Sequence, residues 1–233
     1  MIRTFIVGVL LAVALTQPAG AQDLHKGWKA YQRGDFATAL HEWKWLAERG
    51  HAEAQYNLGG MYEYGDGVAQ DYGKAVKWYR KAADQGLVIA QYNLGTMYDN
   101  GRGVLLDYGK AVKWYRKAAD QGFAFAQYNL GQFYRMGQGV AQDYGAALKW
   151  YRKAAEQGDA AALASLGAMY GRGDGVLQDY VRAHMWANLA AAQGNKCGSK
   201  TREINAEKMT PAQIAEAQKL ARECLARKYK GCD

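Results

Sequence analysis

The 233-residue chain is poor in the side chains that most enzymes use for covalent and metal chemistry: two serines, Ser165 and Ser199, four histidines at positions 25, 41, 51 and 184, and three cysteines. No His or second Cys stands at metal-ligand spacing, which argues against the ordinary zinc arrangements. His41-Glu42-Trp43-Lys44-Trp45 opens like a zinc-protease helix, but Trp45 occupies the place where that motif requires its second His. Long apolar runs are scarce too, since no segment beyond Leu15 approaches the length of a membrane span. Catalysis, a metal and a cofactor are therefore not expected.

The N-terminus is a separate object. Arg3 supplies a positive charge, Phe5 to Leu15 an apolar run of eleven residues, and Ala19-Gly20-Ala21 a small-residue cleavage site. Residues 1–21 read as a secretory signal peptide, too short to span a bilayer; an uncleaved anchor is the alternative. No Cys follows the run to carry a lipid. The mature chain, with 29 Lys and Arg against 22 Asp and Glu, is expected to be periplasmic or secreted.

From His51 to Gly194 one motif recurs four times at an interval of 36 residues. Leu58, Leu94, Leu130 and Leu166 stand in register, as do Gly59, Gly95, Gly131 and Gly167, Tyr62, Tyr98, Tyr134 and Tyr170, and Trp78, Trp114, Trp150 and Trp186. A period of this size means a solenoid whose units bury their apolar faces against their neighbours. Ala54, Leu58, Met61, Tyr62 and Gly65 share one face of a first helix. Gly59 leaves room for the partner helix. Gly65-Asp66-Gly67-Val68 is a turn that lacks the ending of a phosphate loop, Asp71 is placed to cap the second helix, and Gly86 ends it. Ala75, Trp78 and Ala82, with Ala111, Trp114 and Ala118, are the expected core stripe of the second helices.

The consensus AxAxxLGxxYxxGxGVxxDYxKAxxWYxKAAxxG resembles the Sel1-like repeat, a relative of the tetratricopeptide repeat. That resemblance implies an all-α, right-handed α-solenoid of antiparallel helix pairs, usually a scaffold or adaptor for other proteins. Residues 22–50, with Gly27-Trp28-Lys29-Ala30-Tyr31 and Gly34-Asp35-Phe36, resemble a tetratricopeptide-like capping hairpin; residues 51–194 are the four repeats. Residues 195–233 are a C-terminal helical cap. There Thr210-Pro211-Ala212-Gln213 signals a capped helix start, followed by an apolar stripe of Ile214, Ala217, Leu220, Ala221 and Leu225.

Resemblance to the cysteine-rich branch of the family implies a disulfide between Cys224 and Cys232, which leaves Cys197 free or intermolecularly paired. The same branch includes proteins assigned penicillin binding and β-lactamase activity, an alternative function class. Ser165-Leu-Gly-Ala and Ser199-Lys-Thr-Arg fit neither of the serine motifs that chemistry uses.

If the array coils like a tetratricopeptide superhelix, first helices line its groove. At about 100° per residue the side chains opposite Leu58 are then Tyr56 and Gly60, with Glu53 beside them. The equivalent positions are Ile89, Tyr92 and Thr96, then Phe125, Tyr128 and Gln132, with Asn57, Asn93 and Asn129 at the margin. The expected partner is a protein or an extended peptide in the cell envelope, in signalling or polysaccharide secretion, and not nucleic acid. Tyr56, Tyr92 and Tyr128 either meet that partner or pack between repeats. A third reading is an envelope-polymer binder acting through the C-terminal segment, where nine bases face five acids.

Overall fold

The computed structural model describes residues 19–232, with side chains from Leu24 onward. Most of the expected signal segment, residues 1–18, lies outside the described residues, as does Asp233. The described residues form twelve α-helices and no strand. They pair as α1 (Ala19–Gln32) with α2 (Phe36–Glu48), α3 (Ala52–Tyr64) with α4 (Tyr72–Asp84), and α5 (Val88–Asn100) with α6 (Tyr108–Asp120). Then come α7 (Ala124–Met136) with α8 (Tyr144–Ala155) and α9 (Ala160–Arg172) with α10 (Tyr180–Ala192), followed by α11 (Lys196–Ala206) and α12 (Pro211–Ala226), which both pack on α10. From α1 to α11 each helix packs on its neighbour in sequence, and at the C-terminal end α11 also touches α9 while α12 packs on α10. This is an all-α solenoid.

The local signals act as expected. Asp71, Asp107, Asp143 and Asp179 each accept a hydrogen bond from the backbone N–H three residues on, capping α4, α6, α8 and α10. Thr210 and Gln213 form a reciprocal capping box with Pro211 in the first turn of α12. Gly65 caps α3 in the left-handed region at φ 76°, so it terminates the buried stripe instead of extending it.

Adjacent helices lock by seating an aromatic ring on a glycine. A Cβ on Gly59 would lie 2.7 Å from the Tyr79 ring, one on Gly95 2.8 Å from Tyr115, and one on Gly131 2.7 Å from Tyr151. In the N-terminal hairpin Gly27 receives Trp43 in the same way, at 2.5 Å. These tyrosines are the deepest aromatics of the array, 1 %, 1 % and 0 % exposed.

The expected core stripe needs correction here. Trp78 and Trp114 are half-buried, and the buried arc of α4 runs through Ala75, Val76, Tyr79, Ala82 and Ala83. Successive residues on a helix point about 100° apart, so a Trp-Tyr pair cannot place both rings against one partner. The glycine admits the tyrosine, and in α4 and α6 the tryptophan is left at the edge, whereas in α8 Trp150 is buried against the preceding unit beside Tyr151. In the fourth unit Ala187 stands where the tyrosine would be, Gly167 approaches Ala183 and Ala187 directly, and Trp186 turns inward to 2 % exposure.

A second correction concerns the tail. α12 buries Ala217, Ala221 and Cys224, whereas Leu225 is 54 % exposed. Cys224 takes the inward position because it is bonded to Cys232, with Cα atoms 5.2 Å apart. Both sulfurs sit in the core of the last units, and Cys197 is exposed and unpaired.

Four measurements check this account. Gly122→Ala, at φ 91° with nothing within 4 Å of the new Cβ, is expected to cost about 1–2 kcal/mol in urea denaturation from backbone strain alone. Gly103→Ala, at φ 69°, would place its Cβ 2.3 Å from the Tyr72 backbone and should cost about 2–5 kcal/mol, strain and overpacking together. Replacing Cys224 and Cys232 by Ser should cost about 2–3 kcal/mol, with faster hydrogen exchange in α12 and slow exchange retained in α4 to α8. Burial pushes the Tyr151 hydroxyl up from 10.0 to about 12, so the unfolded chain ionises first on the alkaline side. The stability this burial confers is complete below pH 10.0 and should be lost between pH 10.0 and about 12, read as a falling denaturation midpoint.

Candidate protein-binding face

Each buried tyrosine of a second helix reaches through the glycine gap, and its hydroxyl emerges on the face made by α3, α5 and α7. There Tyr79 donates to Glu63 at 2.6 Å, Tyr115 to Asp99 at 3.3 Å, and Tyr151 to Gln132. Over each lies one of the three tyrosines expected to line the groove. Tyr56 is 5.6 Å from Tyr79 between ring centres, Tyr92 is 5.6 Å from Tyr115, and Tyr128 is 5.8 Å from Tyr151.

All three are half-buried and their hydroxyls titrate high because burial disfavours the phenolate. Tyr56 is pushed up to about 12, while Tyr92 and Tyr128 are raised by the same cause. The following unit acts against this shift: Asn93 favours the charged form of Tyr56 and Tyr79, Asn129 that of Tyr92 and Tyr115, and Ser165, where the third Asn would recur, that of Tyr128 and Tyr151, each less than burial opposes it. These tyrosines therefore lie close to the next unit as well as to their own second helix.

The remaining expected residues divide. Thr96 hydrogen-bonds to the Tyr92 carbonyl at 3.2 Å and lies 3.1 Å from the Tyr115 hydroxyl; Gln132 donates to Tyr128 at 3.0 Å and accepts from Arg135 at 3.0 Å. Asn57 and Ile89 are half-buried, and Glu53 is exposed. Phe125 is the large apolar member left open, at 44 %, and it closes an aromatic cluster with Tyr92 and Phe123 at 5.1 to 6.4 Å.

Three residues of this face escaped the sequence reading: Glu63, Asp99 and Arg135, at one place in successive units. Burial raises the carboxyls of Glu63 and Asp99 above their ordinary values, and that of Asp159 farther along. Their signal was variation within a fixed register, since core positions repeat and surface positions need not.

A ladder of buried glutamines was missed too. Gln55, Gln91 and Gln127 each donate to a carbonyl at the end of the preceding second helix, at 3.0 to 3.2 Å. Each also accepts, at 2.8 Å, from Gln85, Gln121 and Gln157, thirty residues on. No group of three or more His, Cys, Asp or Glu is placed to hold a metal among the described residues. No described helix is long and apolar enough to cross a membrane, and the disulfide is compatible with export.

Comparison with known proteins fits this architecture. Residues 52–87, 88–123, 124–159 and 160–195 match the Sel1 repeat. The structure is similar to that of a Sel1 repeat protein from Oxalobacter formigenes, with 34 % identity and a TM-score of 0.69, covering 85 % of this chain and 74 % of that one. A protective antigen of uropathogenic Escherichia coli strains is also similar, at 32 % identity and a TM-score of 0.59, over 91 % of this chain and 54 % of the antigen. Among curated proteins, the exopolysaccharide production negative regulator of Rhizobium leguminosarum bv. viciae is 33 % identical over 95 residues, 34 % of this chain and 36 % of that protein. The chain thus spans about a third of that relative's length. With four units matched in tandem, three of them closed by a glycine-seated ring, the chain belongs to the Sel1 repeat family, a scaffold-like family.

Proposed function

We propose that this is an exported, non-catalytic adaptor that holds an extended segment of an envelope protein along the face of α3, α5 and α7. The observation that carries the reading is the exposed edge of the Tyr92–Phe123–Phe125 cluster, on a face that also carries Glu63, Asp99 and Arg135 at one place in successive units. An apolar anchor fixes the position of a bound peptide, and a row of charges that changes sign along the array favours one direction for it. Tyr56, Tyr92 and Tyr128 form the floor, and Asn57, Asn93 and Asn129 stand at the margin, where an amide can meet a peptide backbone. Residues 1–21 direct the chain to the periplasm or medium, residues 22–50 and 195–233 cap the array, and residues 51–194 present the face. The name of the Rhizobium relative supports placing such an adaptor in the control of polysaccharide production.

The test is in-cell crosslinking of the tagged chain followed by mass spectrometry. Phe125→Ser, at an exposed site, should remove one specific protein while shifting the melting temperature by less than about 2 °C, since exposed substitutions stay within ~0.5 kcal/mol. The triple change of Tyr56, Tyr92 and Tyr128 to Ala should lower the melting temperature as well, because these rings also pack between units. The tagged chain recovered from the periplasm should begin at Gln22. An unaltered crosslink pattern in Phe125→Ser would remove the face from consideration, and turnover or covalent capture of a β-lactam by the purified chain would replace the adaptor with an enzyme.

A further inference from the structure

The two helical layers differ in charge. α3, α5, α7 and α9 carry Glu53, Glu63 and Asp99 against Arg135 and Arg172, whereas α4, α6 and α8 carry eleven lysines and arginines against Asp84 and Asp120. On the outer side of the second layer, Lys77 and Lys81, Lys113 and Lys117, and Lys149 and Lys153 are exposed pairs four residues apart. Like charges at that spacing destabilise a helix, and here the arrangement recurs three times in register. The nearby carboxylates do little to neutralise it. Asp71 and Asp107 cap their helices and pair with Lys74 and Lys110 at 3.3 and 2.8 Å, and Asp84, Asp120 and Glu156 lie at the far C-terminal ends. Lys77, Lys113 and Lys149 make no ion pair among the described residues.

A second pattern is superposed on the first. The ammonium groups of Lys81, Lys117 and Lys153 lie 4.1, 4.0 and 4.4 Å from the ring centres of Trp78, Trp114 and Trp150. The indoles of Trp78 and Trp114, at the edge of the core, thus sit beneath the cations, and Trp150 lies buried under Lys153. Between α6 and the loop of the next unit is a depression of about 410 Å³, with Lys110, Lys113 and Arg116 on one wall and Gly139 and Val140 on the other.

We infer that α4, α6 and α8 form a docking face for an extended acidic polysaccharide. Its carboxylates meet the successive lysine pairs, and its sugar rings lie against the indoles of Trp78 and Trp114 as Lys81 and Lys117 turn toward the anions. Charge repeated along a row of helices suits a linear polyanion better than a compact ligand. None of the exposed large apolar side chains belongs to α4, α6 or α8 themselves; Leu105, Leu106 and Leu177 stand in the loops that precede α6 and α10, and Phe125 in the first layer. The choice of polysaccharide over nucleic acid rests on the export reading above.

The test uses the purified protein and polygalacturonate, with galacturonate monomer, dextran, phosphatidylglycerol vesicles and single-stranded DNA as comparisons. Polygalacturonate should bind, weaken steeply as salt rises and alter tryptophan emission, while monomer and dextran do neither. Changing Lys77, Lys113 and Lys149 together to Glu should weaken binding at least tenfold at low salt without lowering the melting temperature. The corresponding Gln triple variant, which introduces no new charge, should show an intermediate loss and serves if the Glu variant folds poorly. No binding, unchanged binding in both variants, or tighter binding to vesicles or DNA at equal salt would overturn the proposal. The assay needs neither export nor a protein partner, so its failure leaves the adaptor standing, and loss of the adaptor's crosslink leaves this face intact.

Discussion

A glycine that admits an aromatic ring governs the geometry of this array. Because Gly59, Gly95 and Gly131 lack a side chain, Tyr79, Tyr115 and Tyr151 can lie flat against the backbone of the neighbouring helix, and the pair closes to the distance that ring sets. The ring also carries its hydroxyl through to the opposite face, where it donates to Glu63, Asp99 or Gln132. One side chain therefore fills the core, fixes the spacing of the helix pair and orients a polar group on the first-helix surface. Tyr56, Tyr92 and Tyr128 then pack over it and lie close to the next unit. Core and candidate site are built from one set of contacts, which is why the site recurs with the repeat.

Order along the array comes from a different interaction. The glutamine ladder ties each unit to the end of the preceding second helix in a fully buried setting, where a lost partner leaves an unsatisfied amide or carbonyl. The ladder ends where Leu163 replaces the glutamine. Gln193, the last in the outer series, turns instead to the Tyr229 hydroxyl at 3.2 Å. The segment bearing Tyr229 is held back by the Cys224–Cys232 bridge and lies against Gly158. The C-terminal tail thus occupies the place a further unit would take, and the disulfide keeps it there without one.

The repeat period made the helices, their aspartate caps and their turn glycines readable, because each depends on a few neighbouring residues and each occurred several times in register. Which aromatic entered the core was not readable in the same way. Trp78 and Tyr79 are adjacent and both apolar, and the choice between them depends on a glycine twenty residues earlier on another helix. Leu225 failed for a related reason, since a disulfide to Cys232 rotated α12 toward Cys224. The tyrosines of the candidate site fall in one register, but their share of packing and exposure depends on how units stack, which a linear period does not encode. The glutamines were invisible because a buried amide looks like any polar residue until both its partners are placed.

The two faces of the array are separated by this same construction. Tyr79 and its equivalents point inward from the second layer and leave that layer's outer arc free of core duty, so lysines accumulate there without disturbing packing. On the first layer the outer arc is half-committed to the tyrosine pairs, so charges there are few, and burial raises the carboxyls of Glu63 and Asp99. A desolvated carboxylate next to an aromatic edge favours a specific cationic or hydrogen-bonding side chain. An exposed lysine row favours any extended anion, at an affinity set by its charge density. A chain with both surfaces can hold a protein on one side and a polyanion on the other, since the Ala-rich and aromatic core between them belongs to neither site.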